Sequence, residues 1–142
     1  VNIICFEPCH KNYVLLYNNT KSKPNIKIHS IGLGDKIETV NLYQPHSNNM
    51  GATKVSPKGN ETIIIIPGDS LNIDNVTFIK MDVEGYELNA LKGLNQTITK
   101  YLPNIWIEDF TGEAIEWLKT NHGYEVAMDD GGYGNYMMIK NK

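Results

Sequence analysis

Asp82 and Glu84 follow the apolar run Val76 to Met81, and after them come Gly85 and then Leu88, Leu91 and Leu94 at helical spacing. That order reads as a strand delivering two carboxylates to its C-terminal end, a break at Gly85, and a helix from Glu84. Glu108 and Asp109 close a second β-prone run at Asn104 to Glu108, and Glu7 closes a third at Asn2 to Phe6. Carboxylates gathered at strand ends are costly unless a cation, a hydrogen-bonded ligand or water satisfies them. Such a group can accept the proton of an attacking hydroxyl, face a cationic ligand, or bind Mg²⁺ or Ca²⁺ through oxygen. Glu7 has a further use, since an acid at that point of an open α/β sheet accepts hydrogen bonds from both hydroxyls of a ribose. Glu7, Glu84 and Glu87 also have a structural reading, a negative charge favoured by a helix N-terminus, and for Glu87 that reading is preferred.

Strands must alternate with helices to place the acids this way. Asn2 to Phe6 is a buried-type strand, Pro8 starts a helix carrying Tyr13, Leu16 and Tyr17 on one face, and Asn18 to Pro24 returns the chain. Ile26 to Ser30, Glu38 to Tyr43 and Glu61 to Ile66 are the next strands, with Gly32 to Asp35 as a turn. Gln44 to Asn60 is a long polar loop without periodicity. After the helical stretch that ends at Leu102-Pro103 come the strand at Asn104, an amphipathic helix with Ala114, Trp117 and Leu118, and a hairpin of Tyr124 to Met128 with Tyr136 to Lys140. The predicted fold is an open, mostly parallel α/β sheet with one antiparallel edge strand near the C-terminus.

The stretch Lys80-Met81-Asp82-Val83-Glu84-Gly85-Tyr86-Glu87, followed by Leu91-Lys92-Gly93, resembles the signature of the FkbM family of S-adenosylmethionine-dependent methyltransferases. Phe6-Glu7-Pro8, Asn49-Met50-Gly51-Ala52 and Pro103-Asn104-Ile105-Trp106-Ile107-Glu108 extend the resemblance in the family's order over nearly the whole chain. It implies a Rossmann-like class I methyltransferase sheet with S-adenosylmethionine as cofactor. Methyl transfer would go to an oxygen of a sugar, glycan or small metabolite. The implied roles are catalysis for Asp82, Glu84 and Glu108, cofactor binding for Glu7, Ser30, Ile31 and Asp82, and substrate binding for Asn49, with no metal. A plain glycine turn is the alternative at Asn49. Two rival readings stay open: a degenerate, non-catalytic domain of the same fold, and a dinucleotide-dependent oxidoreductase using Glu7, which lacks the glycine fingerprint.

One piece of the family pattern is missing, the Asp-x-Gly-x-x-x-Gly turn with its strand and helix ahead of Phe6. Asp129 to Asn135 is glycine-rich but has no room for a following helix, so it reads as a hairpin turn. The chain opens on Val1 within a strand pattern and is expected to be one domain, 1–142, of an incomplete coding sequence. Alone, it is expected to be poorly soluble and to bind the cofactor weakly.

With 142 residues and 41% hydrophobic content the chain can bury a core. Its net charge is −3 and all 13 basic residues are scattered lysines, which argues against a nucleic-acid groove. No apolar run approaches the ~20 residues of a membrane span. Four Asn-x-Ser/Thr sequons carry little weight in so Asn-rich a chain. Cys5 and Cys9 alone make no zinc site and read as packing residues, and the four histidines form no triad or metal spacing. The expected setting is cytoplasmic, with a small-molecule or glycan acceptor as partner and no membrane; the oligomeric state is open.

Overall fold

A computed structural model of the chain describes residues 1–44 and 53–140. Strands β1 (Ile3–Phe6), β2 (Ile26–His29), β3 (Gly32–Leu33), β4 (Glu38–Tyr43), β5 (Lys54–Val55) and β6 (Glu61–Ile66) precede β7 (Phe78–Met81), β8 (Asn104–Glu108), β9 (Glu125–Asp129) and β10 (Asn135–Ile139). Helix α1 is His10–Thr20, α2 Glu87–Gly93, α3 Asn95–Tyr101 and α4 Glu113–His122. The fold is therefore mixed α/β.

The hydrogen-bonded strands form three ladders instead of one mostly parallel sheet. β1 pairs with β2 in parallel, the second ladder runs β3-β6-β4-β5, and the third runs β7-β8-β10-β9. Parallel pairing joins β1 to β2, β3 to β6 and β7 to β8; the remaining pairs, including the expected hairpin of β9 and β10, are antiparallel. Among the described residues β1 is bonded to β2 and β7 to β8, and no ladder joins the first to the third. Gly32-Leu33, expected within a turn, is a short strand because Ile65 and Ile66 offer it a parallel edge.

Local chemistry sets the boundaries. Four consecutive isoleucines make β6, stopped by Pro67; Gly68–Leu71 then form a 3₁₀ turn. The Asp69 carboxylate accepts the backbone N–H groups of Gln96 and Thr97 at 2.8 and 2.9 Å, capping α3 from outside its own sequence. Asp109 does the same for α4, accepting from Ala114 N–H at 2.9 Å and Ile115 N–H at 3.1 Å, and is itself 3% exposed. Leu91, Leu94 and Ile98 from the helices meet Ile105, Ile107, Leu118 and Met138 in the main core beneath the third ladder. A smaller cluster of Cys9, Leu42, Ile63 and Ile65 lies on the second. Gly93 joins the two regions, because a Cβ there would land on the Gly34 carbonyl, so α2 can approach β3 only as glycine. Among the described residues no helix is long and apolar enough to cross a membrane.

Candidate active site

Register brings the first acids together. In the parallel pair of β7 and β8, Met81 lies opposite Ile107, so Asp82 follows directly beside Glu108. The expected helix from Glu84 instead begins at Glu87, and residues 82–86 make a turn in which Glu84 has φ +52° and Gly85 φ +90°. A left-handed conformation at a non-glycine residue costs roughly 1–2 kcal/mol, and the turn must recover it from its contacts. Glu87 supplies them: its Oε1 accepts the N–H of Val83 at 3.3 Å and of Gly85 at 3.0 Å.

Asp82, Glu84 and Glu108 are close enough to influence one another's charge. Hydrogen bonding with the Asp82 carboxylate, then burial and the charges of Asp82, Glu84 and Glu87, hold Glu108 above the usual carboxylate range. Burial, Asp82 and Glu87 raise Glu84 as well, while the Lys54 ammonium from β5 opposes the rise. Lys80 pairs with Asp82 at 3.4 Å with both side chains largely in solvent, a contact of modest worth. Among the described residues no group of three or more His, Cys, Asp or Glu side chains is arranged to hold a metal ion.

Glu7 touches a different set of groups. Its Oε1 accepts the Cys9 N–H at 2.9 Å at the entry to α1, and the Glu61 carboxylate of β6 accepts the neighbouring His10 N–H at 2.7 Å. Burial raises Glu7 first, the Cys9 and Asn12 hydrogen bonds draw it back, and Glu61 repels it. The charge at a helix entry is thus present, and it is compatible with a ligand role. The parallel register sets Phe6 beside His29, whose rings stack at 5.4 Å, and the Glu7 N–H reaches the His29 carbonyl at 3.0 Å. Ser30, exposed, and Ile31, half-buried, follow β2 at that same strand end. Glu7, Ser30 and Ile31 thus follow β1 and β2, while Asp82 and Glu84 follow β7 and Glu108 ends β8. Asn49 lies outside the described residues.

Three residues were not singled out by their spacing: Lys54, Lys80, and Glu87 as a partner of the turn. For Glu87 a signal existed, since an acid three residues after Glu84 is placed to reach back to backbone donors as in a capping box.

The fold is similar to the crystal structure of a methyltransferase FkbM from Methylobacillus flagellatus KT, with a TM-score of 0.62 and 23% identity, covering 98% of this chain and 36% of that one. Residues 65–126, which contain the Asp82 turn and β8, match the model of the methyltransferase FkbM domain. The hexuronic acid methyltransferase AglP of Haloferax volcanii is 30% identical over 102 residues, 68% of this chain and 43% of that protein. Over residues 65–126, then, the chain is similar to the methyltransferase FkbM domain. It spans less than half the length of these two proteins.

Proposed function

We propose that the protein is an S-adenosylmethionine-dependent O-methyltransferase acting on a hydroxyl of a sugar or glycan. The observation that carries this reading is the register of β7 and β8, which sets Asp82 beside a Glu108 whose acidity is weakened by that neighbour. A carboxylate whose neighbour holds its proton more firmly than usual suits general-base work. The match of residues 65–126 to the methyltransferase FkbM domain and the sugar acid in the relative's name support the reaction and the acceptor class.

Glu7 fits the ribose of the cofactor, being a half-buried carboxylate at a strand end with Ser30 and Ile31 alongside. When bound, the cofactor supplies an electrophilic methyl group on a sulfonium. Asp82, Glu84 and Glu108 give that positive charge a negative environment. Asp82 accepts the acceptor's hydroxyl proton as the new O–C bond forms, and the electron pair of the broken S–C bond stays on sulfur. Orientation of the two reactants supplies most of the acceleration, with the base adding about 10²-fold.

The test is calorimetry with S-adenosylhomocysteine and NAD, followed by mass spectrometry of a reaction with glucuronic acid as acceptor. Binding, weak or strong, should be to S-adenosylhomocysteine and not to NAD. Glu7→Ala should weaken that binding by about 1–3 kcal/mol with little effect on turnover at saturating cofactor. Asp82→Asn should lower turnover about 10²-fold with its fold intact. Binding of NAD alone, or wild-type turnover in Asp82→Asn, would overturn the assignment.

A further inference from the structure

We infer that Glu87 is a positioning residue: its carboxylate locks the 82–86 turn from within and thereby presents Asp82 and Glu84 to Glu108. The inference rests on the proposed methyl transfer for its functional half and on geometry alone for the lock.

An acid in the first turn of a helix ordinarily projects into water, and Glu87 does not, being only 7% exposed. Its side chain folds back over the preceding turn, and a single oxygen accepts the N–H groups of Val83 and Gly85. Those two donors flank Glu84, the residue held in the left-handed region at φ +52°. A strained residue between two donors to one buried acceptor is fixed by that acceptor, since without it the turn can relax to ordinary backbone angles. Asp82 and Glu84 sit on the turn and Glu108 on the adjoining strand, so relaxation would move two acids relative to the third. The charged groups around Glu87 are Asp82 and Glu84 on the turn, Glu108 on β8, and Lys54 on β5 facing Glu84.

Glu87→Gln and Glu87→Ala separate the hydrogen bonds from the charge. Gln retains an acceptor oxygen and removes the charge, whereas Ala removes both. Three quantities are compared: amide exchange at Val83 and Gly85 by NMR, the NMR-detected titration of Glu108, and kcat and KM at varied S-adenosylmethionine with glucuronic acid as acceptor. In Glu87→Ala the two amides should lose at least about tenfold protection, and kcat should fall about 10- to 100-fold while KM for the cofactor holds. In Glu87→Gln protection and most of kcat should return, and the Glu108 titration should move to lower pH. Retained amide protection in Glu87→Ala would overturn the lock, whether or not methyl transfer is detected with the probe. Lost protection with kcat unchanged, or an equal loss of kcat in both variants, would overturn the positioning role.

Discussion

The layer beneath Asp82 and Glu108 and the layer that carries Glu7 are built to different standards. Leu91, Ile98, Ile105, Ile107, Leu118 and Met138 are all 0% exposed, and they form a continuous core between the third ladder and helices α2 to α4. Helix α1 by contrast contains no buried residue, and Val14, Leu15 and Tyr17 on it are 40%, 53% and 50% exposed. Its strands are as open, with Ile3 43% and Ile4 37% exposed. Asp82 and Glu108 thus stand on a close-packed base, while Glu7 is held by the Glu7 to Cys9 and Glu61 to His10 hydrogen bonds, the Phe6–His29 stack and the small cluster of Cys9 with Leu42, Ile63 and Ile65. Local stability follows buried apolar contact, so the two groups should differ in order as well as in chemistry. A base must hold its geometry to within fractions of an ångström.

The largest effect should come from the packed side. Ile105→Ala, in the middle of β8, should cost about 2–5 kcal/mol in urea denaturation by transfer loss plus the cavity left in a dense core. Leu15→Ala on α1 should cost less than about 1 kcal/mol, since half of that side chain is already in water. Equal costs at the two positions would remove the contrast. Amide exchange gives the same comparison without mutation: β8 and β10 should be the slowest segments, α1 and β1 among the fastest.

Much of this was legible from residue order. β6 and β8 fall on their expected bounds because isoleucine runs are closed by Pro67 and opened after Pro103, and the leucine spacing marks the buried face of α2. The acids at the ends of β7 and β8 were legible for the same reason, strand ends being marked by the switch from apolar to charged residues. The division into three ladders was not, because which strand edges meet depends on long-range pairing that no local pattern encodes. The start of α2 was misplaced by three residues, since Glu84 is a good helix former and the local hydrogen bonds of Glu87 to Val83 and Gly85 hold it at a positive φ. The depth of burial of Glu87 was hidden likewise, because an acid near a helix start has an ordinary exposed explanation.

A smaller effect tests how firmly the second ladder is tied to the turn. The Tyr86 hydroxyl donates to the Glu38 carboxylate of β4 at 3.0 Å, the step before α2 begins. Tyr86→Phe should cost about 0.5–1.5 kcal/mol, since Glu38 keeps Lys36 at 3.4 Å as a second partner. A loss of 3 kcal/mol or more would mean that the second ladder, rather than the third, anchors the turn.

The smallest effect reverses sign against expectation for a lost charge. Glu84 is raised by burial and by Asp82 and Glu87, so the folded protein binds its proton more tightly than the unfolded chain does. The stability it contributes is complete below the ordinary glutamate value of about 4.5 and is lost as the pH rises through the folded value. At neutral pH the ionised side chain is therefore a net cost, held in place by the turn. Glu84→Gln removes that cost while keeping size and backbone demand similar, so it should raise Tm at pH 7 by about 2 °C, a small shift because the group is solvent-screened. Near pH 4, where the wild-type acid is largely protonated, the difference should vanish. Thermal melts of both proteins across this range settle the point. A destabilised Glu84→Gln at pH 7 would mean that the attraction to Lys54 outweighs the repulsion within the cluster, and that the three acids are not crowded as the register implies.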